Sequence, residues 1–196
     1  MNVFRYIALI LCFISIESLA QENVQKSPQD ALDFISKIAK DFKNETPDGH
    51  RSIAQINIAD GKMYIYTSMI STKFIGIAPY VCNLYIINLS KVRIVGNDLF
   101  ADNKQDISTY GFLYDDPLNE KLLKLKTLEK QNKYFIKHAL KGLTPVGKFS
   151  IIYSYFLIDD PRFIANNYEK RILNAFDYII KYYGGGNIIT DTNSKF

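Results

Sequence analysis

The spacing of apolar residues changes along this chain, and that change constrains the fold more than any other feature. At Ser27-Pro28, a pair typical of a helix start, apolar side chains begin to recur at the spacing of one helix face. They stand at Ala31, Ile35, Ile38 and Phe42. From Ser52 the spacing becomes two, the period of a half-buried strand, and Asp60-Gly61 predicts a tight hairpin turn. A helix followed by strands indicates an α+β fold.

Further strands are predicted after this hairpin by short apolar runs that turn residues separate. They span residues 80–89, 92–95, 107–114, 122–128, 134–138 and 149–157. The part from Leu118 to Leu143 fits two structures, because its leucines recur at helical spacing while Leu-Lys-Leu-Lys alternates like a strand. Strand and helix therefore both remain open for residues 118–143.

The strongest helical pattern comes near the end of the chain. Apolar residues recur at helical spacing over residues 164–183, and Gly184–Gly186 end the pattern. A long amphipathic helix after a run of strands is typical of a cover over one face of a sheet. We therefore predict an antiparallel sheet or partly open barrel of about seven strands, covered by a long C-terminal helix and accompanied by the extra N-terminal helix.

Two stretches carry a resemblance to a known family. One is the strand–link–strand segment Tyr85–Val95, and the other is the helical segment Arg171–Gly185, which begins R-I-L-N-A-F. In both, the chain resembles exported bacterial proteins that contain a pleckstrin-homology-like domain. The resemblance implies a sheet closed by a C-terminal helix, with ligands bound by loops beside the sheet. The N-terminal amphipathic helix is a departure from that layout.

The first twenty residues have the organisation of a secretory signal peptide. Arg5 precedes an apolar run over Tyr6–Ile16, and Ser18 and Ala20 stand three and one positions before a cleavage site at Gln21. The apolar run is short for a bilayer span, and retention as an N-terminal anchor is the alternative. We predict that the protein is exported and that no transmembrane segment remains after cleavage.

After this signal peptide at residues 1–20, we predict one pleckstrin-homology-like domain at residues 27–186 and a polar tail at residues 187–196. The abundance of Ile, Asn, Lys and Tyr is what A+T-rich codons encode, so we expect a bacterial source and a periplasmic or secreted location. Cys82 is the single cysteine of the expected mature chain, which excludes an internal disulfide. Its strand-like surroundings predict a buried structural thiol.

Residues with catalytic or metal-binding chemistry are few. His50 and His138 are the only histidines, and neither has a second ligand at metal spacing. The acidic pairs at 115–116 and 159–160 each precede a proline, where aspartate favours turn and helix-cap geometry. No serine stands in a nucleophile-elbow motif. We therefore predict no catalytic residue, no metal site and no cofactor.

One segment is strongly basic. Between Lys121 and Lys148 there are eight lysines and one acidic residue, Glu129, while acids outnumber cations in the rest of the expected mature chain. Such asymmetry attracts anionic partners, although a solvated face that maintains solubility is the alternative. The predicted ligand-binding residues are Lys121, Lys124, Lys126, Lys130, Lys133 and Lys137.

These observations favour an exported, non-enzymatic binding module. Its expected partner is an anionic lipid headgroup, a glycan or an acidic protein, and export argues against nucleic acid. An alternative is a periplasmic inhibitor, such as an immunity protein that neutralises a toxin. A third is an unrecognised hydrolase, which requires that Asp115, His138 or Asp159 converge in a pocket.

Overall fold

The computed structural model of the protein describes residues 27–46, 49–71, 80–111, 121–122, 124–139 and 142–186. These residues form two antiparallel sheets, with strand orders β1-β2-β3-β4-β7-β8 and β5-β6-β9. The strands are β1 Asn44–Thr46, β2 Gly49–Ala59, β3 Lys62–Ser71, β4 Tyr80–Asn88, β5 Val92–Val95, β6 Asp98–Ala101, β7 Ile107–Gly111, β8 Thr144–Pro145 and β9 Lys148–Ser150. The chain is therefore α+β, as the sequence predicts, and β1 and β8 stand at the two edges of an open six-stranded sheet.

Five α-helices have both ends within the described ranges, and Lys121, Leu122 and Lys124 are also helical. The five are α1 Pro28–Asp41, α2 Leu128–His138, α3 Ile152–Tyr155, α4 Pro161–Ala165 and α5 Tyr168–Tyr182. In the part of the chain that the structure describes, no helix combines the length and the apolar character that a bilayer crossing requires.

Helix α1 forms as its sequence predicts. The Ser27 hydroxyl accepts a hydrogen bond from the Asp30 backbone N–H at 3.1 Å and donates one to the Asp30 carboxylate at 2.8 Å. Ile35 is fully buried, whereas Lys37 and Lys40 are exposed. The helix thereby buries one face against the sheet and against α5.

The β2–β3 hairpin also follows from local sequence. Asp60 and Gly61 both have positive φ, at 50° and 69°, and Ala59 pairs with Lys62 across the turn. Two central residues in the left-handed region are the geometry of the favoured two-residue hairpin turn. This prediction is confirmed.

The central strands send alternate side chains to opposite faces of the six-stranded sheet. On the first face, Met63, Ile65 and Ile87 are fully buried in the main core, which also contains residues of α1 and α5. On the second face, Tyr66 and Leu84 are fully buried in a smaller cluster with residues of α2. Helices therefore cover the sheet from both sides.

The predicted C-terminal helix over residues 164–183 is interrupted, and this part of the prediction is wrong. Asn167 adopts the left-handed conformation at φ 51°, which asparagine tolerates better than most residues. The Asn166 side chain donates to the Arg162 carbonyl at 2.7 Å and ends α4. Ile164 consequently lies on a separate short helix and is 64% exposed.

The glycine run ends α5, as predicted. Gly184 and Gly186 have positive φ, and the Gly186 N–H donates to the Val92 carbonyl at 2.9 Å. A Cβ atom on Gly185 would stand 2.1 Å from the Leu89 carbonyl oxygen. Only glycine therefore permits this close approach of the helix end to the start of β5.

Three strand predictions are wrong. None of the described residues among 122–128 forms a strand, and residues 134–138 lie in α2. For the segment 118–143, in which strand and helix were both open, the structure shows helix at residues 121–122, 124 and 128–138. The predicted strand over 149–157 is reduced to β9, because the chain turns into α3 at Ile152. The predicted strand over 107–114 is confirmed as β7 up to Gly111.

Several predicted features lie outside the described residues. These are the signal peptide, the polar tail, the Asp115-Asp116 pair and Lys141. The backbone of Cys82 lies in β4, as expected for its strand-like run, and its side chain is outside the described set.

Candidate functional site: a lysine-bearing helix on the second face

Helix α2 begins at a threonine cap. The Thr127 side chain accepts a hydrogen bond from the Lys130 backbone N–H at 3.3 Å. Glu129 stands in the first turn, and Lys137 and His138 stand in the last turn, so both ends complement the helix dipole. These local signals explain why a helix forms here, and Thr127 with Glu129 is the sequence signal that the strand interpretation missed.

One side of α2 packs on the sheet through an aromatic cluster. Phe135 is fully buried, and its ring meets Tyr66 edge-on with centroids 5.9 Å apart. It also meets Tyr110 of β7 at 6.4 Å. Edge-to-face pairs of this kind stabilise beyond the area they bury. Phe135 therefore fixes α2 to the middle of the second face.

Polar contacts complete this packing. The Gln131 amide is buried, donates to the Leu125 carbonyl at 2.9 Å and forms a reciprocal pair with the Gln55 amide at 3.2 Å. The Tyr66 hydroxyl donates to the Asn132 side-chain oxygen. Burial raises the pKa of Tyr66 above its ordinary value, so this hydroxyl keeps its proton. These contacts fix the rotation of α2 about its axis.

The opposite side of α2 is a row of lysines. Lys130, Lys133 and Lys137 are exposed and lie within about 60° of one another around the helix, on the side roughly opposite Phe135. Seven residues of helix separate the outer two, which corresponds to about 10 Å of rise. The rotation that buries Phe135 thus directs all three ammonium groups away from the sheet.

The remaining predicted lysines precede α2. Lys121, Lys124 and Lys126 are exposed, while Leu122 between them is almost fully buried in the cluster under α2. We call the six predicted residues Lys121, Lys124, Lys126, Lys130, Lys133 and Lys137 the lysine surface. Lys148 belongs elsewhere, since it lies in β9 and forms an ion pair with Asp98 at 2.7 Å.

Several cations outside α2 form ion pairs with aspartates. Arg93 pairs with Asp102, Arg162 with Asp160, and Lys181 with Asp177. Over the described ranges, no ion pair includes Lys130, Lys133 or Lys137. Among the residues that the structure describes, these three lysines therefore have no ion-pair partner.

The other residues considered for catalysis or metal binding are His50, His138, Asp159 and Asp160. The His138 ring packs against Tyr134 with centroids 4.6 Å apart, and the backbone of His50 lies in β2. Asp160 caps α4 by accepting from the Arg162 N–H at 2.8 Å, and Asp159 is exposed in the preceding turn. Among the described residues, no three His, Cys, Asp or Glu side chains are grouped as metal ligands would be.

A small pocket of about 280 Å³ also opens on the second face. Its polar lining comes from β4, from the 3₁₀ turn Lys104–Asp106 and from β7. Sequence reasoning did not single out these residues, because they are brought together only by strand pairing.

Comparisons with protein-family models, with curated proteins and with solved structures found no match to this chain. The function is therefore argued from the geometry of the chain itself.

Proposed function

We propose that this protein is a non-enzymatic binding module that holds an anionic partner on the lysine surface. The observation that carries the proposal is the row formed by Lys130, Lys133 and Lys137, which faces away from the sheet and has no acidic partner among the described residues. A positive field concentrated on one side of a molecule raises the local concentration of anions.

The energetics of the helix support this proposal. Like charges three and four residues apart destabilise a helix by about 0.2–0.5 kcal/mol per pair. Lys130–Lys133 and Lys133–Lys137 are such pairs, and Glu129, four residues before Lys133, is the single acidic residue of α2. A bound polyanion would neutralise this repulsion, so binding and helix stability are expected to be coupled.

Lysine chemistry defines the mode of binding. An ammonium group is a compact, hydrated charge, whereas the planar guanidinium of arginine recognises carboxylates and phosphates through two parallel hydrogen bonds. The lysine surface contains no arginine. We therefore expect binding that depends on the density of negative charge and falls steeply with salt concentration.

Export and a pleckstrin-homology-like assignment are part of this proposal. The signal-peptide pattern supports export, and an open antiparallel sheet covered by a C-terminal helix is compatible with the family layout. Mass spectrometry of the protein isolated from its native cell envelope would test export, because an exported protein should begin at Gln21.

The binding proposal is tested with two triple variants of the purified protein. The first changes Lys130, Lys133 and Lys137 to glutamate. The matched control changes Lys37, Lys40 and Lys170 to glutamate, which alters the net charge equally on helices α1 and α5 of the first face. Binding to dextran sulfate, to phosphatidylglycerol vesicles and to polyglutamate is measured at low and high salt.

We expect the α2 variant to lose binding to at least one of these probes, while the control keeps most of it. Equal losses in both variants would show that net charge alone acts and would contradict the proposal. The proposal would also be contradicted if the unmodified protein bound none of the three probes. If the unmodified protein instead retained a protein partner at high salt, the inhibitor hypothesis would replace the binding-module proposal.

A further inference from the structure

Helix α2 covers only part of the second face. The cluster beneath it contains Tyr66 and Leu84. Toward the β2–β3 turn the same face carries Lys62, which is exposed, Ile86, which is partly buried, and Ser108, which is buried. The pocket of about 280 Å³ lies at this end of the face. It is separate from the lysine surface, with which it shares no residue.

The pocket wall is organised by internal hydrogen bonds. The Asn88 side-chain amide donates to one carboxylate oxygen of Asp106 at 3.0 Å. The Asn103 side-chain oxygen accepts from the Gln105 N–H at 3.1 Å, and the Ser108 hydroxyl donates to the Gln105 carbonyl at 3.0 Å. These bonds hold the 3₁₀ turn and the side chains of Asn88, Asn103 and Asp106 in place, so these polar groups are positioned before any ligand arrives.

Several polar groups of the wall have no hydrogen-bond partner among the described residues. They are the second carboxylate oxygen of Asp106, the Asn103 side-chain NH₂, the Gln105 side-chain amide and the Lys62 ammonium group. Together they offer both hydrogen-bond donors and hydrogen-bond acceptors. Such a wall suits a ligand that both donates and accepts hydrogen bonds.

The charges and apolar groups of the pocket narrow the class of ligand. Lys62 and Asp106 carry opposite unit charges, so neither an anion nor a cation is favoured by the net charge of the wall. Ile86 and Leu143 add apolar contact area beside the polar groups. A hydroxyl-rich ring with apolar C–H faces matches both kinds of surface, whereas a purely apolar ligand would leave the polar groups unpaired.

We propose that this pocket binds a small neutral polyhydroxylated molecule, of the class of a single sugar ring. Asp106 and Asn103 would bind neighbouring hydroxyl groups, Gln105 would offer both a donor and an acceptor, and Ile86 would contact the C–H face.

The test is a titration of the isotope-labelled protein followed by amide NMR shifts, with glucose, mannose and N-acetylglucosamine as neutral probes and phosphate and glycine as charged probes. We expect at least one sugar to shift the amides of Lys62, Asn88 and Gln105 to Ser108, with millimolar affinity. Asp106→Ala should weaken this binding about tenfold, and Gln105→Ala about threefold.

Asp177→Ala on α5 is the matched control and should leave the affinity unchanged. The exposed Gln105 side chain can be removed without disturbing the core, so this variant remains informative if Asp106→Ala unfolds the turn. Absence of pocket shifts with all three sugars, preferential binding of phosphate or glycine, or undiminished binding by both variants would each overturn the proposal. None of these outcomes bears on the lysine surface.

Discussion

The two faces of the six-stranded sheet differ in how they are covered. The first face packs against α1 and α5, and its core is continuous with the small sheet β5-β6-β9. On the second face, α2 lies over a cluster of four fully or almost fully buried residues: Tyr66, Leu84, Leu122 and Phe135. The hydrophobic effect scales with buried apolar area, so the first face supplies most of the stabilisation.

The two faces therefore have different roles: the first contains most of the buried core, and the second carries the lysine surface and the pocket. Exposed charge and an open polar pocket both lower the burial that a face can achieve. Both features occur on the second face, where fewer core residues are buried.

The largest effects are expected from cavities in the two cores. Phe176 of α5 and Phe135 of α2 are both fully buried. Phe176→Ala should lower the free energy of unfolding by about 5 kcal/mol, and Phe135→Ala by about 3 kcal/mol, because the smaller cluster can collapse around the cavity more readily. Urea denaturation measures both values, and a larger cost for Phe135→Ala would reverse our ranking of the two faces.

A smaller effect is expected from the buried amide pair beneath α2. Gln131→Leu should cost about 1–2 kcal/mol, because it leaves the Gln55 amide and the Leu125 carbonyl without their partner. Adding Gln55→Leu should recover part of that loss, since both halves of the amide pair are then apolar. A double-mutant cycle from denaturation curves gives the coupling energy, and strict additivity would show that the pair contributes nothing specific.

The first face should be sensitive to acid through a helix cap. Hydrogen bonds from the Arg162 side chain and backbone lower the pKa of Asp160 from 3.8 to about 2. The charged cap therefore stabilises the fold above about pH 4, and this contribution is lost as the pH falls through the folded pKa. Asp160→Asn keeps the capping oxygen but removes the charge.

The expected result is a lower melting temperature for Asp160→Asn than for the unmodified protein at about pH 5, with the difference shrinking toward about pH 2. Thermal melts of both proteins across this range measure it. A difference that stays constant with pH would mean that the Asp160 charge is not the cause.

The smallest effect is expected on the lysine surface. Changing Lys130, Lys133 and Lys137 to glutamine should leave stability unchanged or raise it by about 0.2–0.5 kcal/mol for each relieved pair. The same change should abolish most anion binding if the proposed function is correct. A clear destabilisation in denaturation curves would show instead that these lysines contribute to the packing of α2.

The local signals of the sequence predicted much of the first-face layer. Ser27-Pro28, Asp60-Gly61 and the glycine run each depend on residues within one turn of chain, and all three appear where expected. The break in the C-terminal helix was missed because apolar spacing continues across Asn166-Asn167. The lysines were found from charge, but their alignment on one helix face was not predicted.

Local sequence predicts the start of α1, the end of α5, the hairpin turn, the α+β class and the basic character of residues 121–148. Tertiary packing selects the helix at Leu128–His138 over a strand, turns its lysines outward, and brings polar side chains of β4, β7 and the turn before β7 into one pocket. The difference comes from the distance along the chain over which the deciding interactions act. Caps and turns are decided by neighbouring residues, whereas an ambiguous apolar run takes the structure that places Phe135 against Tyr66 and Tyr110 of the sheet.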